Sequence, residues 1–247
     1  MQRMERVILK ASGELFGNGG IISFEKYDTV ARQVVEIRKS TGAQMAMVVG
    51  GGNIFRGRNA QSEVDSKVDP VEADQMGMLA TIMNGIGLRE ALQRNGAKDD
   101  SRLMVALEMP KVAEPYLVHK ARKHLDDGMI VVIAGGTGSP GCTTDTAVAQ
   151  YAWELQCDMI LKASTVDGVY DKDPHKFPEA KRYESLSFRR AIEEELGVMD
   201  ATAFTMCNRW EIPIFVFDIK DLEKLPRTIK ENDFSFGTLI TRDGKQE

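Results

Sequence analysis

The sequence predicts an α/β protein, a three-layer α/β/α sandwich on a mainly parallel central sheet. Three observations carry that prediction. Short uncharged apolar runs at 45–49 (MAMVV) and 129–134 (MIVVIA) have the composition of strands buried on both faces. Between such runs lie longer stretches with apolar residues three and four apart, the helical period. The two kinds alternate, and alternating strand and helix patterns fold as parallel strands with helices on both sheet faces. At 247 residues and 43% hydrophobic, the chain can bury one sizeable core. No linker, repeat or low-complexity stretch interrupts it, so residues 1–247 are expected to form a single domain.

The elements follow in order. Residues 6–10 read as a strand that ends in Lys10-Ala11-Ser12-Gly13-Glu14, and 17–20 as a turn. Ser23 is placed to cap a helix over 24–40, whose stripe of Phe24, Tyr27, Val30, Val34 and Ile37 is expected in the core; Gly42 ends it. The strand 45–49 stops on Gly50-Gly51-Gly52-Asn53, with Arg56 just beyond. Residues 59–69 are polar and aperiodic, a loop over the site. Pro70 opens a long helix to about Asn95, with Gly96 as its stop. Gly77, Gly85 and Gly87 each weaken that helix by up to ~1 kcal/mol, which implies close packing of another backbone. Met76, Met78 and Met83 read as core or as a subunit interface. A strand at 102–107 and a helix at 115–125 come next; His119 and His124 have no partners there at ligand spacing. The strand 129–134 runs into a second glycine loop, GGTGSPGCTTD, and Thr144 is expected to cap a helix to about Leu155. A strand at 158–162, a hairpin at 165–170, a loop at 171–176, helices at 187–196 and 201–209, and strands at 214–217 and 238–240 complete the pattern.

Composition narrows the function. A net charge of −5 and a pI near 5.4 argue against broad binding to nucleic acid or to an anionic membrane surface. The longest apolar run is too short to span a bilayer. The N-terminus MQRMERVILK has charges but no apolar signal core, so a cytoplasmic location is expected. Cys142, Cys157 and Cys207 are odd in number and lack a CxxC, which suits a reducing compartment and supplies neither a disulfide framework nor a zinc site.

The chemistry sits at strand ends. Three glycines there remove the Cβ atoms that keep a ligand off the backbone, so peptide N–H groups can reach an anion. Arg56 adds a permanent cation of the kind phosphates favour. In the second loop, Gly136 to Gly141 satisfies G-x-G-x-x-G, and Gly136 to Thr143 nearly satisfies a P-loop, with Cys142 where the lysine must stand. Neither reading fits. The first leaves Lys10 and the triple glycine unexplained, and the second lacks the charge that reaches the terminal phosphates. Asp145 beside a phosphate loop also needs a cation between. The pieces fit phosphoryl transfer between two anions, with amides from several glycine loops and charge from Lys10, Arg56 and Lys162. In a parallel sheet those strand ends share one edge. Asp145 would then orient the lysines or engage the magnesium that accompanies a nucleoside triphosphate. Asp74, in the first turns of its helix, reads equally as a surface acid favoured by the helix dipole.

The stretches KASGE (10–14), VGGGNIFRG (49–57), DQMGMLAT (74–81) with Asn84, GGTG (135–138) with TTD (143–145), and KASTVDGVYDKDP (162–174) resemble the bacterial UMP kinases, which have the amino acid kinase fold and are unrelated to P-loop nucleoside monophosphate kinases. The resemblance spans essentially the whole chain. It implies transfer of the γ-phosphoryl group of Mg-ATP to UMP, giving UDP and ADP in pyrimidine nucleotide biosynthesis. Carried over by position, it gives Lys10, Arg56, Asp145 and Lys162 the catalytic charge framework. Lys10, Ala11, Ser12, Gly13, Gly52 and Arg56 would hold the ATP phosphates, and Ser164, Tyr170 and Asp173 the adenosine. Gly51, Asp74 and the loop Thr137, Gly138, Ser139, Pro140, Gly141, Cys142, Thr143 and Thr144 would hold UMP, Asp74 accepting from the ribose hydroxyls. The resemblance implies Mg2+ only as the companion of ATP, no resident metal, a cytoplasmic homohexamer, and UTP as feedback inhibitor. Four positions depart from the family pattern. Ser139 replaces an asparagine, and Gly141-Cys142 replaces a pair of aromatics, which loosens one wall of the UMP pocket. Thr165 replaces a second lysine, and the loop 16–22 is shorter than the segment that accompanies GTP activation. Two other classes are weighed: a metal-storage or sensor protein on the same fold, against which Lys10, Arg56, Asp145 and Lys162 speak, and a nicotinamide-dependent oxidoreductase, which the GTGSPG loop alone suggests.

Overall fold

A computed structural model describes residues 3–17, 22–55 and 68–244. Its first half runs β1 (Arg6–Ala11), α1 (Phe24–Thr41), β2 (Gln44–Val49), α2 (Pro70–Arg94), β3 (Ser101–Val105), β4 (Glu114–Pro115), α3 (Val118–Asp126) and β5 (Ile130–Ala134). The second half runs α4 (Thr144–Glu154), β6 (Met159–Ser164), β7 (Ser185–Ser187), α5 (Phe188–Glu193), α6 (Ala201–Trp210), β8 (Ile214–Asp218), α7 (Leu225–Glu231) and β9 (Gly237–Thr241). Among the described residues the strands form one sheet in the order β4-β3-β5-β2-β1-β6-β8-β9-β7. Every pairing is parallel except β8 with β9.

The period of two in each strand divides the core. Val7, Leu9 and Ala11 of β1 face one apolar layer with α1, α2 and α7. Ile8 faces the other, with α3, α4, α5 and α6. Because both faces are covered, the central strands need no polar alternation, and β5 is buried at all its positions. The strand-to-helix crossovers then place the C-terminal ends of β1, β2, β5 and β6 side by side on one edge.

Several local expectations shift. Phe24 is 68% exposed, so the core stripe of α1 starts at Tyr27, whose ring stacks on Phe16 at 4.9 Å. Gly42 ends α1 in the left-handed conformation at φ 68°, as its position predicts. Thr143, not Thr144, caps α4, because its hydroxyl accepts from the amides of Asp145 and Thr146. Residues 165–168 form bends rather than a hairpin; Tyr170 bridges instead to Arg182, which donates to the Asp167 carbonyl at 3.1 Å. The glycines of α2 admit side chains, not another backbone. A Cβ on Gly85 would lie 2.8 Å from Leu103, one on Gly87 2.8 Å from the Tyr27 ring, and one on Gly77 would meet nothing. The short strands β4 and β7 and the helix α7 carry too little periodicity to be read in advance. The turn at 18–20 and most of the loop at 59–69 lie outside the described residues. The cysteines are free thiols, Cys142 exposed and the other two buried.

Candidate active site

Lys10 and Lys162 stand opposite each other in the parallel register of β1 and β6. Each shares its face with an isoleucine of the α4 layer, Ile8 or Ile160, so both side chains turn toward the N-terminus of α4. There Thr143 caps the helix and Asp145 occupies the first turn, where the helix dipole favours a carboxylate. Asp145 Oδ1 accepts from Lys162 Nζ at 2.7 Å and lies 3.4 Å from Lys10 Nζ. Lys162 is only 6% exposed. Burial, then the like charge of Lys10, brings its ammonium down to about 8, with Asp145 opposing the fall. Burial pushes the Asp145 carboxyl up, but Lys162 and then Lys10 outweigh it and hold the group below the usual carboxylate range. The net result is one carboxylate bracketed by two ammonium groups, a local excess of positive charge in a dry setting.

Two glycine loops flank this cluster. Gly13 and Gly50 to Asn53 meet backbone to backbone: a Cβ on Gly13 would lie 2.5 Å from the Gly52 nitrogen, and one on Gly50 3.0 Å from the Gly13 nitrogen. The Gly50 amide donates to the Ala11 carbonyl at 2.8 Å, so Ala11 serves through its backbone while its methyl is buried in the core. Gly51 lies against α2, where a Cβ would meet the Thr81 nitrogen at 2.9 Å. Ser12 accepts from Lys10 Nζ at 3.3 Å.

The second loop, after β5, turns through left-handed glycines at 135, 136, 138 and 141. Three neighbours hold it. Thr81 accepts from the Gly135 amide at 2.7 Å, Tyr151 donates to the Gly136 carbonyl at 2.7 Å, and Asp74 accepts from the Gly141 amide at 2.6 Å. Asp74 therefore closes on the loop that the resemblance assigns to the acceptor, and Ser139, Pro140, Gly141 and Cys142 form its exposed tip. Thr137 folds back on Ser139, accepting from its amide at 3.3 Å. Thr143 has a structural duty besides capping: it donates to Asp200, which also takes the Thr146 hydroxyl at 3.0 Å and caps α6. Thr144 follows at half-burial.

Lys10, Ser12, Asp145 and Lys162 open into one cavity of about 640 Å³ that continues past Ser164, Tyr170 and Asp173. Its volume falls within the range of ligand sites. Tyr170 donates to Asp167 at 2.6 Å and Asp173 accepts from the His175 amide at 3.0 Å, fixing that wall. Arg56 lies outside the described residues. Thr81 and Asn84 carry the resemblance without a role of their own, Tyr27 is expected only as core, and Asp200 has no signal in the sequence. A signal existed for two of them: Thr81 and Asn84 are polar residues in the apolar stretch LATIMNGIG, yet they are buried, and buried polar groups are there to be hydrogen-bonded. Among the described residues, no group of three or more His, Cys, Asp or Glu could hold a metal ion, and no helix is long and apolar enough to cross a membrane.

A model of the amino acid kinase family matches residues 5–218. A uridylate kinase of Zymomonas mobilis is 43% identical over 235 residues, 94% of this chain and 95% of that protein. The crystal structure of a UMP kinase from Bacillus anthracis superposes with a TM-score of 0.90 at 34% identity, covering 98% of each chain. A UMP kinase from Ureaplasma parvum gives 0.85 at 33% identity, covering 98% of this chain and 100% of that one.

Proposed function

The chain belongs to the amino acid kinase family, and from that premise we propose that its strand-end site transfers the γ-phosphoryl group of ATP to UMP, releasing UDP and ADP. The observation that carries the reading is the Lys10–Asp145–Lys162 cluster, set between two glycine loops and opening into the cavity of Ser164, Tyr170 and Asp173. In the reaction a phosphate oxygen of UMP bonds to the γ-phosphorus as the bond to the bridging oxygen of ADP breaks. That nucleophile is ionised near neutral pH, its second pKa being about 6 for a phosphate monoester, so no general base is required. What remains is alignment of two anions and stabilisation of charge on the transferring group.

Lys10 and Lys162 supply that charge, and Asp145 holds the two ammonium groups together without neutralising both. Lys10, Ala11, Ser12, Gly13 and Gly52 would cradle the ATP phosphates with Arg56, and Ser164, Tyr170 and Asp173 the adenosine. Gly51, Asp74 and residues 137–144 would hold UMP. Asp74 would exchange the Gly141 amide for a ribose hydroxyl as the acceptor enters. Mg2+ prefers a few carboxylates plus substrate phosphates; with no acidic cage among the described residues and Asp145 engaged by lysines, the ion fits here as a companion of ATP, neutralising phosphate charge. The reading includes a cytoplasmic enzyme of one domain, UTP as an inhibitor, and a homohexamer. Support for assembly comes from Val71, Met76, Leu79 and Met83, large apolar side chains left exposed along α2.

The test is nucleoside diphosphate formation from Mg-ATP with UMP, CMP, dUMP, GMP and AMP in parallel. Selective UDP formation is the expected result. Turnover of CMP and dUMP at rates like UMP would keep the kinase and show that the Ser139–Cys142 tip no longer reads uridine. No turnover of any acceptor by folded, nucleotide-binding protein would overturn the reading in favour of storage or sensing.

A further inference from the structure

We infer that Asn84, backed by Tyr27, is a positioning residue for phosphoryl transfer, setting the conformation of the first glycine loop; this rests on the reading above. Asn84 is fully buried on the inner side of α2. Its amide nitrogen donates to the Gly50 carbonyl at 2.6 Å and to Asn53 Oδ1 at 2.7 Å. Its oxygen accepts from the Tyr27 hydroxyl at 2.6 Å and, more distantly, from Asn53 Nδ2 at 3.4 Å. One side chain therefore grips the loop at both ends, its first carbonyl and its last side chain, with Gly51 and Gly52 between.

The grip is directional. Asn84 presents its two donors to the loop because its acceptor is taken by Tyr27, and a hydrogen-bonded amide in a dry site has little freedom to flip. Tyr27 is itself fixed, stacked on Phe16 at 4.9 Å and pressed against Gly87, where a Cβ would come within 2.8 Å of the ring. Phe16 ends the turn that carries Ser12 and Gly13, so the same tyrosine braces the second backbone segment facing the phosphates. Asn84 is wholly enclosed by these partners. It acts through Gly50 and Asn53.

The experiment compares Asn84→Asp, Asn84→Ser and Tyr27→Phe with wild type. Asn84→Asp keeps the shape but turns two donors into acceptors facing the Gly50 carbonyl and Asn53 oxygen. Expected is a fall in kcat on the order of 10–100-fold, the scale of an ångström-level misplacement, with KM for UMP within a few-fold. Tyr27→Phe, which leaves the amide in place but frees its orientation, should give a smaller fall of the same kind. Amide hydrogen exchange supplies a readout independent of turnover: the amides of residues 50–53 should exchange faster in all three variants, while that of Gly135, held by Thr81 on the same helix, keeps its rate. Lowered melting temperature with unchanged kcat per folded molecule and unchanged exchange at 50–53 would overturn the proposal. If wild type forms no UDP, the transfer reading fails by itself; the exchange pattern still decides whether Asn84 positions the loop.

Discussion

Asp145→Asn probes the charge cluster most directly. The carboxylate is the counter-charge of two ammonium groups, 2.7 Å from Lys162 and 3.4 Å from Lys10. Removing one partner of a buried ion pair commonly destabilises by about 3–5 kcal/mol. Lys162 has an escape from that penalty. Its pKa already stands at about 8, so at pH 7 it can lose its proton for about 1.4 kcal/mol per pH unit of the gap. Discharge caps that part of the loss at about 1–2 kcal/mol, and the missing hydrogen bonds add about 1 kcal/mol. The variant should therefore stay folded, weaker by about 2–3 kcal/mol in urea unfolding at pH 7. The pH dependence has a definite sign. Below about 8 the folded wild type carries a proton on Lys162 that the folded variant lacks, while the unfolded chains match. Stability rises with pH wherever the unfolded state binds more protons than the folded one, so the variant gains on wild type from pH 7 to 8, closing the gap by about 1 kcal/mol. Turnover should fall by roughly 10²–10³, because a discharged Lys162 no longer stabilises the transferring group. A stability gap that is constant or widens over that range would refute the discharge argument, and turnover within a factor of ten would refute the role of the cluster.

Three further outcomes follow from the same geometry. Lys10→Ala should lose roughly 10²–10³ in turnover, the scale of deleting one charge-stabilising donor, while circular dichroism stays native; near-normal UDP formation would remove Lys10 from the mechanism. In wild type, kcat/KM should decline above about pH 8 as the depressed Lys162 ammonium loses its proton, and a profile flat to pH 9.5 would contradict an essential charge there. Gly51→Ala would put a methyl 2.8 Å from the Ala80 side chain and 2.9 Å from the Thr81 nitrogen, so a loss of about 1–3 kcal/mol from overpacking is expected, with a raised KM for UMP; an unchanged urea midpoint would show that α2 yields freely.

The fold is legible in the sequence where one physical rule dominates. Burial on both faces made β2 and β5 unbroken apolar runs, and glycine at the ends of both strands marked the loops. Lysines are common at strand ends, so Lys10 and Lys162 were readable only jointly, as cations closing different strands of one parallel sheet; their direct opposition depends on the β1–β6 register, which no local pattern encodes. The hairpin at 165–170 failed because a distant residue, Arg182, takes the Asp167 carbonyl and brings Tyr170 into its bridge. Phe24 fits the helical stripe, but it meets the Tyr27 ring only from the outer side, at 6.3 Å, and stays exposed. Asp200 gave no local sign of its link to α4, since its partners, Thr143 and Thr146, lie more than fifty positions away.

Helix α2 explains why residues so far apart in sequence act at one edge. Asp74, Thr81 and Asn84 lie seven and three residues apart on it, and seven residues are close to two full turns, so the first two sit nearly in line. Asp74 takes the Gly141 amide, Thr81 the Gly135 amide, and Asn84 the Gly50 carbonyl. The helix thus spaces the two glycine loops against each other over about 15 Å of its axis at 1.5 Å per residue. Neither loop can shift relative to the other without bending the helix or breaking one of these bonds. The small residues on that side make the spacing workable: Ala80 and Gly85 let α2 lie against Gly51, Leu103 and Ala134. A longer side chain at Gly85 would lift the helix from the sheet and part both loops from their anchors. A helix-weakening glycine there is the condition for holding the two glycine loops in a fixed relation, the kind of alignment that in-line transfer between two anions requires.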